Sequence, residues 1–158
     1  MKNLMVLMAI AVAAFAISAS LPVENAGTTI VGTWKTIDDE TGNARSHVKV
    51  YKAKDGKYYG KIEKLLNRTE GEPADPLCEV CPKDDYRYNK RVITMNIVSK
   101  MKASSDLTSA SGGFILDPKS GKKYKCSMSV KEGGKKLNVR GYVGISALGR
   151  TQTWIRVK

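Results

Sequence analysis

Cys78 and Cys81, two cysteines three positions apart, are the residues of this sequence best suited to chemistry. A Cys-x-x-Cys pair acts as a redox dithiol, as half of a zinc site, or as a disulfide within a short loop. Redox pairs need cations or a helix N-terminus to lower the thiol pKa, whereas acidic residues surround this pair. Zinc needs four ligands, and only Cys126 and His47 remain to complete a set. We interpret the pair as a disulfide and Cys126 as a buried free thiol, with metal and redox roles as the alternatives.

The other polar residues do not form a recognisable catalytic set. His47 is the single histidine, so any Ser-His-Asp site would have to include it, and its place on a predicted strand is more typical of a wall residue. The acidic run 38–40 precedes Gly42 and Asn43, which is typical of a solvent-exposed hairpin turn rather than of catalytic carboxylates or a Ca²⁺ site. Neither a Gly-x-Ser-x-Gly motif nor a phosphate-binding glycine loop is present. The sequence therefore predicts a protein that is not an enzyme and uses no cofactor and no metal.

The N-terminal residues are typical of an export signal. Lys2 supplies a positive charge, 4–17 is an almost unbroken apolar run, and 18–20 are the small residues that a signal peptidase needs. A membrane anchor is the alternative, but it requires about 20 apolar residues. We predict a signal peptide over 1–20, with cleavage allowed as far as Ala26. The protein is then exported to the bacterial periplasm or secreted, and is not an integral membrane protein.

The chain is strongly basic. It carries 27 Lys and Arg residues against 15 Asp and Glu residues, a formal net charge of +12. Such a balance is typical of nucleic-acid binding, but an exported protein rarely meets nucleic acid, so none is predicted. Anionic lipid headgroups or envelope phosphates are the partners that the charge favours. The lysines of 119–136 also fit the water-facing sides of two strands, which is the simpler explanation.

The residues above are positioned by a chain that is β in character from Val31 onward. Apolar and polar side chains alternate with a period of two, and turns rich in Gly, Asp and Asn separate the alternating stretches. The stretches are 32–36, 46–51, 57–66, 91–101, 112–116, 123–130, 136–143 and 151–157, and a polar segment with prolines at 67–89 is predicted to be a long loop. Only 101–110 is compatible with a short helix. The pattern predicts a single domain over 27–158, an antiparallel barrel or sandwich of seven to nine strands.

Short motifs along the chain resemble those of a known family of exported bacterial proteins. They are Val31–Trp34, Cys78–Cys81, Ile115–Pro118, Val139–Gly144 and Leu148–Trp154, in this order over about 30–158. The chain resembles the family called domain of unknown function 2147, which has no established activity. The resemblance implies an all-β fold, a small antiparallel lipocalin-like β-barrel. Family members often carry a Trp shortly before the paired glycines, where this chain has 109–111.

The segment Gly32-x-Trp34 is also similar to the opening of lipocalins, in which the Trp plugs the closed end of the barrel beneath an Arg of the last strand. Trp154 and Arg156 belong to the last predicted strand. Arg156, or alternatively Arg150, is therefore expected to stack on Trp34 through a cation–π contact. We assign a structural role to Gly32, Trp34, Trp154 and Arg156.

The barrel interior is the predicted functional site. An eight-stranded barrel is just wide enough to hold one small ligand, and an acyl chain or similar amphipath suits apolar walls. The residues predicted to line the site are Val48, Val50, Tyr124, Met128, Val139 and Ile155, with Arg140 near the mouth. The sequence thus predicts an exported non-enzymatic protein that binds a small apolar or amphipathic molecule. The alternatives are an interaction module that docks on anionic envelope surfaces through a basic face and, less favoured, a Cys-x-x-Cys redox or metal protein.

Overall fold

Eight antiparallel strands close into one barrel in the computed structural model, which describes residues 27–39, 41–68 and 70–157. The strands are β1 Gly32–Ile37, β2 Ala44–Lys52, β3 Tyr58–Leu65, β4 Asn96–Ala103, β5 Ser109–Leu116, β6 Lys123–Lys131, β7 Lys136–Tyr142 and β8 Gly149–Arg156. Each strand pairs with the next along the chain, and β8 pairs back with β1 at Trp34 and Lys35. The prediction of an all-β antiparallel barrel is confirmed.

The register between β6 and β7 shows how the alternation of side chains builds the wall. Met128 pairs with Val139, and both side chains are buried. One position away, Ser127 pairs with Arg140 on the other face of the sheet. Because successive side chains of a strand point to opposite faces, this register directs an apolar row inward and a polar row outward.

The connection between β3 and β4 is longer than predicted. β4 begins at Asn96 rather than near Arg91, which makes only an isolated bridge with Leu77. The short helix considered for 101–110 is wrong. This segment contains the end of β4, a turn and the start of β5, with Ala103 paired to Ala110. Pairing of the two strands buries Met101 and Ala110, which outweighs the weak local preference for a helix.

The long loop, residues 66–95, is packed against the barrel. Arg87 is buried, with only 3% of its surface exposed, and its Nη2 lies 2.7 Å from a carboxylate oxygen of Asp85. The same guanidinium donates a hydrogen bond from Nη1 to the carbonyl oxygen of Asn96 at 3.1 Å. Val92 and Met95 join the apolar core. The ion pair and the apolar contacts together attach the loop to the first residue of β4.

Residues 27–31 cover one end of the barrel, and the long loop lies at the other end. We call the end with residues 27–31 the covered end. The amide of Ile30 donates to the carbonyl oxygen of Leu107 at 2.8 Å, in the turn between β4 and β5. Gly134 lies so close to Gly27 that a Cβ at Gly134 would stand 1.6 Å from the Gly27 carbonyl oxygen. The segment therefore contacts two of the three turns at this end.

The only helical elements in the described residues are two short 3₁₀ turns, Glu132–Gly134 and Ser146–Leu148. Within the same residues there is no helix with the length and hydropathy needed to cross a bilayer. The predicted signal peptide over 1–20 and its cleavage region up to Ala26 lie outside the described residues.

Candidate functional site

The Cys78–Cys81 pair is a disulfide, with its sulfur atoms 2.00 Å apart. Both residues are buried, and Cys78 is fully so. Cys126 is the free cysteine, and burial raises the pKa of its thiol to about 12. In the described residues no group of three His, Cys, Asp or Glu side chains is placed to hold a metal ion. Thiol–disulfide exchange requires access to the sulfur atoms, so the buried disulfide has a structural role in the loop.

The barrel interior is filled with side chains at the level predicted to hold a ligand. Val48 and Val50 are fully buried, and Met128 and Val139 are each 2% exposed. A cavity large enough for a water molecule would expose the side chains around it, so within the described part of the chain no such cavity adjoins the two valines. The indole rings of Trp34 and Trp154 are also buried in this core. An apolar ligand between these residues would have to displace them.

Two of the predicted ligand-binding residues lie on the outer face of the barrel. Ile155 pairs with Lys35 and Lys136 and is only partly buried, whereas its neighbour Trp154 fills the interior. β8 carries apolar side chains on both faces, and the larger indole removes more apolar surface from water when it is inside. Arg140 alternates with the buried Val139, so its side chain is also outside. Two expectations are therefore wrong: Ile155 does not face inward, and Arg140 does not lie at the mouth of the interior.

The covered end has the arrangement predicted for Trp34. The Arg156 guanidinium lies over the indole ring, and the indole Nε1 donates to the carbonyl oxygen of Ile30 at 2.9 Å. Arg150, the alternative partner, instead pairs with Asp39 at the other end of the barrel. Trp34 and Arg156 thus join β1, β8 and the residues that cover this end, which is a structural role.

A groove of about 730 Å³ lies on the outside of the barrel, across β4 to β8. Its lining includes two pairs of serines, Ser109 and Ser111 on β5 and Ser127 and Ser129 on β6. The serines face outward because the residues between them, Ala110 and Met128, are buried. The long side chains that line the same groove are Lys102, Lys131 and Arg140. The groove therefore offers hydroxyl groups between basic side chains.

The charge of the groove is not balanced by acidic residues of its own lining. The remaining lining residues carry no charge; they are Ala103, Ser104, Ala110, Met128, Asn138 and Thr151. Within the described part of the chain, neither Lys102 nor Lys131 forms an ion pair. Arg140 donates to Thr151 Oγ1 at 2.8 Å, which fixes its guanidinium at the edge of the groove. This combination suits an anion that also carries hydroxyl groups.

A family model described as an uncharacterized protein conserved in bacteria, DUF2147, matches residues 32–156. The chain belongs to this family. The matched range begins at the first residue of β1 and ends at the last residue of β8. The sequence signature of DUF2147 therefore corresponds to the complete barrel of this protein, including the long loop.

Among solved structures, protein HP1028 from the human pathogen Helicobacter pylori, which belongs to the lipocalin family, is similar to this DUF2147 protein with a TM-score of 0.64. The two are 20% identical in sequence, and the similarity covers 83% of this chain and 84% of that chain. At this identity the likeness shows a shared lipocalin-like fold. No curated protein matches the sequence.

The groove includes the segment just before the paired glycines Gly112 and Gly113. The resemblance implied a Trp shortly before the paired glycines, and here Ser109 and Ser111 flank Ala110 in that region. Both serines line the groove. Serines at alternate positions of β5 and β6 were the sequence signal for this surface. The signal carries little information by itself, because such residues are also typical of any solvent-facing strand.

Proposed function

We propose that this protein is a non-enzymatic binding protein whose ligand is a small anionic molecule with several hydroxyl groups, such as a phosphorylated sugar. The site is the outer groove. The observation that carries the proposal is that Lys102 and Lys131 line one groove with four serines and form no ion pair within the described residues. Ammonium groups attract a phosphate or carboxylate, and hydroxyls both donate to and accept from the hydroxyls of a sugar.

The lipocalin-like fold supports small-molecule binding in general, and it favours the barrel interior as a second candidate site for an apolar or amphipathic ligand. Packing favours the groove. Val48 and Val50 are fully buried, so an interior ligand requires rearrangement of the core, whereas the groove is already open to solvent. A ligand that enters a preformed site avoids the free-energy cost of that rearrangement.

Titration calorimetry with glucose 6-phosphate, and with glucose as the uncharged control, tests the proposal. We expect heat of binding with the phosphate only, and an affinity about tenfold lower in the double variant K102Q/K131Q, equivalent to about 1.4 kcal/mol. The matched control is K52Q/K54Q, which removes the same charge from exposed lysines that do not line the groove. It should bind like the wild type.

The variant Ser111→Trp adds a test of position, because an indole at this exposed site fills part of the groove without entering the core. We expect it to abolish binding of glucose 6-phosphate while leaving the thermal unfolding midpoint unchanged. Uptake of a fluorescent fatty-acid probe, together with no response to glucose 6-phosphate, would contradict the groove and move the site to the interior.

We further propose that the protein is exported, to the periplasm or beyond, after cleavage between Ala19 and Ala26. The apolar run 4–17 and the small residues after it support this proposal. N-terminal sequencing of protein from its own cell envelope should begin between Ser20 and Gly27. A sequence that still begins at Met1 would contradict it.

A further inference from the structure

The loop between β7 and β8, residues 143–148, exposes large aliphatic side chains to solvent. Val143 is 66% exposed, Ile145 64% and Leu148 76%. Three such side chains within six residues are unusual for the surface of a soluble domain, because isolated exposed apolar residues are common but clusters mark contact surfaces. We call residues 143–148 the aliphatic loop.

The backbone of the aliphatic loop is held in place by hydrogen bonds. Arg140 donates from Nε to the carbonyl oxygen of Ser146 at 2.7 Å and from Nη2 to that of Ala147 at 3.1 Å. The amide of Leu148 donates to the carbonyl oxygen of Ile145 at 3.2 Å. These carbonyl groups are therefore paired before any partner arrives. Their pairing reduces the free-energy cost of moving the loop out of water.

The next level of the barrel wall below the loop is aromatic and basic. Phe114, Lys125 and Tyr142 lie side by side across β5, β6 and β7, since Lys125 pairs with both of the others. The ammonium group of Lys123 lies 5.4 Å from the centroid of the Phe114 ring. Phe114, Lys123 and Lys125 are exposed. An aliphatic tip above aromatic rings and lysines matches the order of the layers at a membrane surface, where apolar tips reach the acyl boundary and aromatic and basic groups stay among the headgroups.

From these observations we propose that the aliphatic loop docks the protein on a bilayer that contains anionic lipids. Ile145 and Leu148 enter the boundary between headgroups and acyl chains, and Lys123 and Lys125 contact the lipid phosphates. The positive charge beside the loop selects an anionic surface over a neutral one. The aliphatic loop adjoins the edge of the ligand groove at Arg140. The residues proposed to contact the bilayer do not line the groove, so the proposal stands independently of the ligand that the groove binds.

A local fluorescence probe tests the docking directly. The variant Ser146→Cys places a thiol at an exposed loop position, where an environment-sensitive dye can be attached, while Cys126 is buried and Cys78 and Cys81 are joined. We expect the dye emission to shift to the blue with vesicles of 30% phosphatidylglycerol in phosphatidylcholine, and not with pure phosphatidylcholine. The same dye on Lys54→Cys, in the turn at the covered end, should not shift.

Substitutions in the aliphatic loop and at the lysines separate the apolar contribution to membrane binding from the electrostatic one. I145S/L148S should bind the anionic vesicles at least tenfold more weakly in a flotation assay, while Val157→Ser, an exposed valine at the covered end, should bind like the wild type. K123Q/K125Q should weaken binding by about fivefold for each lysine, and K52Q/K54Q should not. Residues 1–26 are the same in every variant, so the differences report on the loop.

Two results would overturn the proposal. One is an unshifted dye at Ser146→Cys in the presence of anionic vesicles, which would point to a protein as the partner of the loop. The other is I145S/L148S binding as tightly as the wild type, which would leave charge alone as the cause of binding. Because all the substituted side chains are exposed, the circular dichroism spectrum and the unfolding midpoint should match those of the wild type in every variant.

Discussion

The Arg156 guanidinium carbon lies 4.0 Å from the centroid of the Trp34 ring, so the last strand covers the indole of the first. The same guanidinium donates to the carbonyl oxygens of Thr29, Val31 and Gly134. One side chain therefore joins both terminal strands, the segment 27–31 and the turn between β6 and β7. In a barrel that closes by pairing β1 with β8, this arrangement lies at the junction that completes the closure.

Replacing Arg156 with alanine should lower the free energy of unfolding by about 3 kcal/mol. The variant loses a cation–π contact and leaves carbonyl groups unpaired in a half-buried site. Urea denaturation followed by tryptophan fluorescence measures the change. Lys49→Ala is the control, because Lys49 forms an ion pair with Glu63 at the surface of the barrel and such pairs contribute about 0–1 kcal/mol. Equal effects of the two substitutions would refute the role given to Arg156.

Alanine substitutions at Gly121 and Gly56 test whether the loop that contains the disulfide packs against the turn between β5 and β6. Both have positive φ, +70° and +76°, so alanine is strained at either position by about 1–2 kcal/mol. A Cβ at Gly121 would also stand 1.8 Å from the carbonyl oxygen of Val80, whereas nothing lies near Gly56. We expect Gly121→Ala to lose at least about 2 kcal/mol more than Gly56→Ala on thermal unfolding. Equal losses would mean that the loop does not rest on the turn between β5 and β6.

The ion pair between Asp85 and Arg87 should make the long loop sensitive to acid. The hydrogen bond from Arg87 lowers the pKa of Asp85 to about 2, from its usual value near 4. Between pH 4 and pH 2 the unfolded chain takes up a proton that the folded chain does not. Up to about 2 kcal/mol of stability, fully present above pH 4, is therefore lost as the pH falls through this range.

Comparison of the wild type with Asp85→Asn tests this linkage. The difference in their free energies of unfolding should be largest at pH 7 and shrink toward pH 2.5. Asp84→Asn, at the exposed neighbouring position, should show a small and constant difference. If the difference for Asp85→Asn is also constant across this range, the ion pair does not stabilise the folded loop.

Cys126 should make the barrel less stable in alkali. Burial raises the pKa of its thiol to about 12, whereas an exposed thiol ionises near pH 8.5. Above that pH the unfolded state loses a proton that the folded state keeps, so the stability contributed by the thiol is present at lower pH and declines by about 1.4 kcal/mol per pH unit. The difference in stability between the wild type and Cys126→Ala should change with this slope from pH 9 to pH 11.

A thiol count gives an independent check of the cysteine assignment. The unreduced protein should show no reactive thiol when folded and one when unfolded in guanidinium chloride, because only Cys126 is free. Three reactive thiols after unfolding would contradict the disulfide. A fast-reacting thiol in the folded protein would contradict the burial of Cys126.

The alternation of side chains in single strands was enough to predict the class of fold. In β6 and β7 the apolar residues fall on one face and the polar residues on the other, so the sequence identifies which residues are buried before the partner strands are known. The Cys-x-x-Cys spacing and its acidic surroundings likewise favoured a disulfide over a redox site. Both predictions depend only on residues that are close together in the chain, so they did not require the tertiary structure.

Only the tertiary structure decided which way β8 faces and what occupies the interior. Trp154 and Ile155 are adjacent apolar residues, and the alternation alone does not say which of them is inside. Closure of the barrel beside Leu137 places the indole there. Similarly, Ser111, Ser129 and Lys102 come from three strands and meet only because those strands are neighbours in the closed sheet. The sequence determined the faces of the strands. Strand pairing and packing determined that side chains fill the interior around Val48 and Val50 and that the open groove lies outside, because both depend on contacts between residues far apart in the chain.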